Sequence, residues 1–549
     1  MSDQASSSVG NSKQRNFRFP DHYKISDFLY GLAGPWPKPS IDHPVGQAPE
    51  ILNIPQPEWD DWQKNVGDYY ISNALTYSKE AFEYSVKMLT YPDLDDARFT
   101  ELIAHGLYSK FLCPLDAPDE VLFQNFMRDT AREYLKNDLS HMRVVLNTFE
   151  SDFGAEYVAP AIVLLSRPKT RTPENDFDYQ VDAIALSHQA KPGDPYSMGK
   201  DMPVFKPGDG DAWKLAKYFA LQGAIHRINL IDHTIVHFPS DAINAITKTV
   251  LPKSNLLLQL LLPHFWLTLP VNNTVLEGDR SLINRDTWYP WSPFTAQGDE
   301  IRKLLPFAWY GSDYYLAEDD FWKDRVQAYP AYNFSLKPRD IPSKYGKFLN
   351  AYYEPILSFT RKVVQCIPPE STHADWVEIR RWADHISTWL PGFPQGEQMD
   401  DETLASTLAA IIWNAAIAHT ADHITLHAMF EGQQPIPYIM RVEPPKSLPY
   451  NQGAEFLCWP NDIFSGRLAD LLFYLPHNSS LLIDCNYDFN PNHPDLKNAI
   501  SEFQKDLRAT AKLLKAEGID FGIKLESDKT GKEKKVEEMT LCIGAGIQY

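Results

Sequence analysis

The sequence of 549 residues predicts a mainly α-helical protein with one small β-sheet. From about residue 61, apolar residues recur at intervals of three and four, which places them on one face of a helix. Two short segments, "YVAPAIVLLSRP" and "FDYQVDAIALSHQ", are β-branched and bounded by turn formers, as is typical of strands. The sequence has no serine- and glycine-rich linker and no internal repeat. It is therefore as consistent with one large domain that has minor lobes as with several small domains.

The N-terminal part of the chain differs in composition from the rest. The first residues, "MSDQASSSVGNSKQ", are polar and lack an apolar signal region, so we expect them to be disordered. Residues 20–60 are rich in proline and are expected to form an extended arm on the body of the protein. We therefore predict an extended, partly disordered N-terminal arm over residues 1–60 and a large domain over residues 61–549.

Several long helices are predicted within the large domain. One begins near Ala212, after the turn "KPGDGD". Another begins after "MDDE" (399–402), because aspartate suits a helix N-terminus. The other predicted helices cover residues 241–262, 346–367, 374–389 and 495–517.

Charge and cysteine content limit the classes of partner and compartment. The formal net charge of −20 argues against a nucleic-acid partner, since phosphate binding needs a basic surface. The five cysteines are scattered, with no CxxC pair, which favours a reducing compartment over a disulfide framework or a thiolate zinc site. The most apolar segment, residues 256–271, is interrupted by Gln259, Pro263 and His264 and is not expected to span a membrane. We predict a cytoplasmic protein with peripheral membrane contact at most.

The segment "HRINLIDHTIVH" (226–237) carries three histidines on one side of a helix. At about 100° per residue, His233 lies roughly 20° from His226, and His237 lies roughly 40° further round. Apolar neighbours indicate that this face is buried, and burying an imidazole is costly unless the ring has a partner. These histidines are therefore either hydrogen-bonded core residues or metal ligands.

A later apolar helix carries His419, His423 and His427 at intervals of four. Side chains at i and i+4 lie on adjacent turns, close enough to bind one metal ion. The sequence thus contains two such pairs on separate helices, His233/His237 and His419/His423. Four neutral imidazoles suit iron, manganese, zinc or copper, and ligand type alone does not choose among these metals.

The chain resembles the lipoxygenase family in the order and spacing of six separated motifs. These are "DAWKLAK" (211–217), the first histidine helix, "LLLPHFWLTLPVN" (260–272), "SLIN" (281–284), "GFP" (392–394) and "IIWNAAIAH" (411–419), and "YVAPAIVLL" (157–165) resembles the strand that precedes them in that family. The resemblance implies a mainly α fold: a single large helical lipoxygenase-type catalytic domain, with a small β-sheet lobe and a non-haem metal at its centre. It also implies a minimal form, because residues 1–60 resemble no part of the family's N-terminal β-barrel lipid-binding domain.

The resemblance carries over a set of metal ligands. His233 and His237 match the ligand pair of the first long helix, and His419 matches the first ligand of the second. His423 falls where the family has histidine or asparagine. The fifth ligand in lipoxygenases is the carboxylate of the last residue, which here is Tyr549 at the end of "IGAGIQY". His226, one turn before the first pair, is interpreted as a hydrogen-bonded neighbour.

Three features depart from the family pattern. The first ligand pair is usually five residues apart and relies on a local bulge, whereas here the spacing is four and a regular helix would serve. The last residue is Tyr549 where the family normally has isoleucine, so a bulky ring must fit beside the metal. Two glutamines that usually support the ligands are replaced by Leu426 and Asn229, which implies altered reactivity.

A substrate channel is also implied by the resemblance. Trp266, Leu269 and Val271 are candidate wall residues, with ordinary core packing as the alternative. The family position associated with the face of oxygen attack maps to Gly278 or Val275, because the segment is longer here and the gap can be placed in two ways.

The implied function is that of a dioxygenase. The enzyme would abstract hydrogen from a polyunsaturated fatty acid, or a similar polyene, and add O2 to give a hydroperoxide. Its partners would be an apolar unsaturated small molecule and O2, and its cofactor non-haem iron, with manganese as an alternative. The departures favour a second hypothesis, a related metalloenzyme that isomerises hydroperoxides or oxidises a non-fatty-acid metabolite. A third is a catalytically silent binder of apolar ligands, against which the four retained histidines argue.

Overall fold

The computed structural model describes most of the chain between residues 54 and 548. The described residues are 54–65, 72–88, 91–115, 123–136, 139–146, 157–172, 176–186, 202–276, 332–368, 374–423, 437–450, 459–473, 481–489, 493–519, 524–525, 534–535 and 543–548. The predicted arm up to residue 53 lies outside these ranges. So do four residues of the predicted site or its surroundings: Gly278, Leu426, His427 and Tyr549. The side chain of Val275 is likewise not described.

Helices make up most of the described structure, which confirms the predicted mainly α class. Their bounds are α1 (Gln56–Asn65), α2 (Ser72–Lys87), α3 (Asp96–His105), α4 (Gln124–Lys136), α5 (Asp211–Arg227), α6 (His233–Val250), α7 (Leu256–Leu261), α8 (Thr268–Leu276), α9 (Lys344–Ala351), α10 (Tyr353–Gln365), α11 (Ala374–Ser387), α12 (Asp401–Ile412), α13 (Pro460–Phe473) and α14 (Pro494–Ala516). Two turns of π-helix join helical segments: Ile228–Asp232 joins α5 to α6, and Trp413–Ala418 joins α12 to residues 419–423.

The predicted small sheet is present as five antiparallel strands in sequential order. They are β1 (Leu112–Pro114), β2 (Leu139–Leu146), β3 (Ala161–Pro168), β4 (Gln180–Leu186) and β5 (Val204–Phe205). The two segments predicted as strands form β3 and β4, in which Val163 lies opposite Ile184. Strand β2 was not predicted, since its sequence "LSHMRVVL" interrupts the apolar pattern with a histidine and an arginine. A separate two-stranded ribbon, β6 (Lys524–Leu525) with β7 (Lys534–Lys535), lies near the chain end.

The predicted helix over residues 241–262 has the wrong boundaries. The helix that begins at Asp211 continues through the π turn and α6 to Val250, and α7 begins only after a break. Pro252 lies in this break and lacks the backbone N–H that a continuing helix would need. Asn255 then caps α7, because its side chain accepts a hydrogen bond of 3.0 Å from the backbone N of Leu257.

Helix α1 begins inside the segment that was predicted to be extended. Residues 56–60 are helical, and Pro57 is compatible with this because it falls in the first turn, where its missing N–H costs no hydrogen bond. Glu58 fastens α1 to α6 through an ion pair of 2.5 Å with Lys248, and both side chains are buried. A buried ion pair of this kind fixes the position of α1 more than it stabilises the fold.

The second histidine helix lies in the protein core. It begins at Asp401, inside the segment "MDDE" rather than after it, and the Asp400 side chain caps it by accepting a hydrogen bond of 2.7 Å from the backbone N of Thr403. Within the described part of the chain, Asp401–His423 is the one helix long and apolar enough to cross a membrane, with a mean hydropathy of 1.3. In the most apolar 18-residue stretch of this helix, 83% is buried inside the protein. We therefore interpret Asp401–His423 as the core helix of a globular fold.

Candidate metal centre

Each histidine pair directly follows a turn of π-helix. The turn Ile228–Asp232 ends immediately before His233, and the turn Trp413–Ala418 ends immediately before His419. A π turn places one additional residue in the helix, and such turns are frequent at functional sites. The helix is therefore irregular just upstream of each pair, whereas each pair itself lies on regular α-helix. The sequence had predicted a regular helix here, and only the structure shows these wide turns.

The structure brings the four histidines together into one buried cluster. The candidate ligand atoms of His233, His237, His419 and His423 all lie within 4.8 Å of one another. The Nε2 atoms of His233 and His237 are 2.8 Å apart, and those of His419 and His423 are 3.1 Å apart. Imidazole nitrogens that share one metal ion at about 2.1 Å lie roughly 3 Å apart. His419 is fully buried, His237 and His423 are buried, and His233 is half-buried.

Hydrogen bonds from the outer ring nitrogens fix the tautomers of His233 and His237. Nδ1 of His233 lies 3.2 Å from a carboxylate oxygen of Asp422, which only accepts. Nδ1 of His237 lies 2.7 Å from Oδ1 of Asn272. The amide of Asn272 is oriented by its Nδ2, which donates to the carbonyl of His237 at 3.2 Å and to Asp241 at 2.6 Å. Both Nδ1 atoms therefore carry the proton.

It follows that two unprotonated Nε2 atoms face each other at 2.8 Å. Their lone pairs repel unless a cation lies between them. A shared proton would charge the pair, and burial acts against that charge: burial, together with the neighbouring His233 ring, lowers the pKa of His237 to about 3. A metal ion resolves the repulsion without protonating either ring, because neutral imidazole Nε2 is a common metal ligand. The donor set therefore fits a metal ion.

Asp422 connects this cluster to two further polar side chains. Its Oδ1 accepts hydrogen bonds from Lys110 at 2.5 Å and from the Tyr345 hydroxyl at 2.6 Å. Burial alone would raise the pKa of Asp422, but Lys110 and His233 lower it below its usual range. Burial and the Asp422 carboxylate raise the pKa of Tyr345 well above its usual value, so the hydroxyl stays a donor. None of these three residues stands out in the sequence, because only the fold brings them together.

The segment before the chain end passes through the core beside the second histidine helix. Two hydrogen bonds hold its backbone. The backbone N of Gly544 donates to the hydroxyl of Thr420 at 3.0 Å, and the carbonyl of Ile547 accepts from the hydroxyl of Thr268 at 3.1 Å. His264 donates from Nδ1 to the carbonyl of Ala545. Residues 543–548 are buried, and Ile547 packs against Val236 of the first histidine helix. The predicted role of the Tyr549 carboxylate stays a prediction.

The other predicted residues take different positions. His226 is outside the cluster, and its Nδ1 lies 2.9 Å from the helix carbonyl of Gln222, as the hydrogen-bonded interpretation predicts. Asn229 donates to the carbonyl of Ile225 at 2.9 Å. The three candidate wall residues are all buried: Trp266, Leu269 and Val271. Trp266 and Val271 pack with Trp62 of α1, so their part in a channel stays a prediction.

Comparison with known proteins identifies the fold. No protein-family model matches the chain, and no curated protein matches its sequence. The manganese lipoxygenase of Gaeumannomyces graminis matches with a TM-score of 0.60 and 12% identity over 90% of this chain and 92% of that chain. Coral 8R-lipoxygenase matches with a TM-score of 0.57 and 16% identity over 95% and 79% of the two chains.

A third similar structure is an anaerobic crystal structure of a LOX in complex with arachidonate. Its TM-score is 0.59, with 15% identity over 91% of this chain and 76% of that chain. Identities this low leave the fold as the shared property. The protein has the fold of a lipoxygenase catalytic domain, and within that fold it carries a four-histidine cluster that fits a metal ion.

Proposed function

We propose that this protein is a non-haem metal dioxygenase that abstracts hydrogen from a polyunsaturated fatty acid, or a similar polyene, and adds O2 to give a hydroperoxide. The observation that carries the proposal is the four-histidine cluster in a lipoxygenase-type fold, with the tautomers of His233 and His237 set so that both Nε2 lone pairs face inward. An ordinary hydrogen-bonded core would not direct two lone pairs at each other.

The metal would be held by His233, His237, His419 and His423, with the carboxylate of Tyr549 as the proposed fifth ligand. Iron or manganese bound there would supply the one-electron chemistry needed to take hydrogen from a methylene between two double bonds. The manganese lipoxygenase of the same fold supports manganese, and iron is the metal that the resemblance to the family implies.

The chain's own side chains would orient the ligands and exclude water. Asn272 and Asp422 hold the two imidazoles of α6 by their Nδ1 atoms. Val236, Ala415 and Ala418 of the histidine helices pack with Ile547 in an apolar cluster, and apolar surroundings suit an apolar substrate. The LOX in complex with arachidonate supports a fatty acid as the substrate class.

A second candidate function keeps the metal and changes the chemistry to hydroperoxide isomerisation or oxidation of another unsaturated metabolite. The observation that favours it is the buried carboxylate of Asp422 against the ligand His233, since a charged partner makes an imidazole a stronger electron donor.

The test uses the purified full-length chain. Its metal content is measured first, and oxygen uptake is then measured with linoleate, arachidonate and a monounsaturated acid of the same length as linoleate. We expect bound iron or manganese, uptake with the polyunsaturated acids, and none with the monounsaturated acid, because that acid lacks a methylene between two double bonds. Uptake should disappear in His419→Ala. Absence of a bound transition metal would contradict the proposal, whereas bound metal with turnover of only a hydroperoxide would favour the second candidate.

A further inference from the structure

Asp422 is a fully enclosed carboxylate with three donors from three different parts of the chain. It precedes His423 on the second histidine helix, and its side chain is 1% exposed. Oδ2 faces Nδ1 of His233 at 3.2 Å, whereas Oδ1 receives both Lys110 and Tyr345. The two oxygens are thus divided between the metal cluster and the pair of outer donors.

The two imidazoles of α6 have outer partners of different charge. His237 donates to the neutral amide oxygen of Asn272, and His233 donates to a carboxylate. A hydrogen bond to an ionised acceptor is roughly twice as strong as one between neutral groups. His233 is therefore the more strongly polarised of the two rings.

We propose that Asp422 is a positioning residue for the metal centre: it holds the His233 ring with Nε2 directed inward and sets the reduction potential of the bound metal, while Lys110 and Tyr345 control how much of its charge reaches His233. This inference rests on the proposed metal site and deepens it. The physical basis is that a ligating histidine with a carboxylate partner is a more basic ligand in a fixed orientation.

Removing the Asp422 carboxylate and removing one of its two Oδ1 donors have opposite expected effects on the reduction potential. Removing the carboxylate charge makes His233 a weaker donor to the metal, which favours the reduced metal and raises the reduction potential. Removing a donor to Oδ1 leaves more charge for Oδ2 and His233, which lowers the potential. Removing the Lys110 cation lowers the potential by its charge alone, so the neutral change at Tyr345 is the one that separates this role from that of a carboxylate that only stabilises the fold.

The first measurement compares Asp422→Asn with the wild type. Both are loaded with iron(II), and the metal affinity and the reduction potential are determined. We expect about a 10–100-fold loss of metal affinity and a higher potential. The matched control is Asp470→Asn, which also removes a fully buried carboxylate, one that pairs with Arg467 at 2.8 Å in α13. The control should lose stability without a change in potential.

The second measurement uses Tyr345→Phe and Lys110→Met, which keep the carboxylate. We expect both to lower the potential, opposite in sign to Asp422→Asn. These variants also decide the question if Asp422→Asn does not fold. An unchanged potential in Tyr345→Phe, or a shift of the same sign in Tyr345→Phe and Asp422→Asn, would overturn the inference.

The outcomes separate this inference from the proposed function. A wild type that binds iron tightly but does not consume oxygen would count against the dioxygenase, and the affinity and potential would still test Asp422. A wild type that binds no metal would overturn both. Equal affinity and potential in the wild type and Asp422→Asn, with oxygen uptake intact, would overturn the role of Asp422 alone.

Discussion

The hydroxyl of Thr420 accepts a hydrogen bond of 3.0 Å from the backbone N of Gly544. Thr420 directly follows His419, so this bond fastens the final segment of the chain to the helix that carries half of the metal cluster. The two residues are 124 positions apart. The position of the final segment therefore depends on the helix that carries the second histidine pair.

Extending the chain end tests the proposed fifth ligand. A few residues added after Tyr549 would convert its carboxylate to a peptide bond and bring a new charged end towards buried space. We expect the extended protein to lose metal and activity, because the residues that precede Tyr549 are buried and leave little room for an added segment beside them. The control is a tag of the same length at the N-terminus, which should change neither. Metal analysis and oxygen uptake measure the effect, and full metal content with full activity in the extended protein would exclude Tyr549 as a ligand.

Metal binding should stabilise the folded protein. A metal that binds only the native state, at a free concentration of 100 times its dissociation constant, contributes about 2.7 kcal/mol to the free energy of unfolding. We expect this gain for the wild type and its loss in His233→Ala, measured by denaturant unfolding with metal and with chelator. His105→Gln changes a buried histidine outside the cluster and should keep the gain. An equal gain in His233→Ala would place the metal elsewhere.

His423 should tolerate asparagine better than alanine. The amide oxygen of asparagine can still bind a metal, although more weakly than imidazole, whereas alanine offers no ligand. We expect metal content to fall in the order wild type, His423→Asn, His423→Ala, as measured by elemental analysis after dialysis. If both variants retained the same amount of metal, a ligand role for His423 would be contradicted.

His264 makes the folded state sensitive to acid. Burial lowers its pKa from 6.5 to about 4, although the bond to the Ala545 carbonyl acts the other way. Because the folded-state pKa is the lower one, the unfolded chain binds the proton first. The contribution of His264 is therefore complete above pH 6.5 and is lost as the pH falls through about 4, a loss of about 3 kcal/mol.

The variant His264→Gln isolates this contribution. It keeps a donor for the Ala545 carbonyl but cannot titrate. Denaturant unfolding of both proteins at several pH values between 7 and 4 gives the difference in slope. We expect the wild type to lose stability more steeply than the variant over that range, and parallel profiles would show that His264 does not cause the acid sensitivity.

Much of the fold was predictable because it depends on local patterns. Apolar residues at intervals of three and four predicted the helices, and α12 begins where "MDDE" indicated, since an aspartate cap needs only residues a few positions away. The break near residue 251 was missed although it is visible in the sequence, where Pro252 and the polar residues 253–255 interrupt the apolar pattern. Strand β2 was missed because its pairing with β3, not its own sequence, makes it a strand.

The sequence by itself determined that each pair of histidines four residues apart shares a helix face, because the helical repeat fixes the direction of side chains at that spacing. It did not determine which nitrogen of each imidazole ring carries the proton. The partner of His233 is 189 positions away and the partner of His237 is 35 positions away, and in the sequence Asp422 and Asn272 look like ordinary polar residues in apolar helices. Only the tertiary structure decides which acceptor meets each Nδ1, and that acceptor fixes the proton on the outer nitrogen and leaves the inner lone pair for a metal.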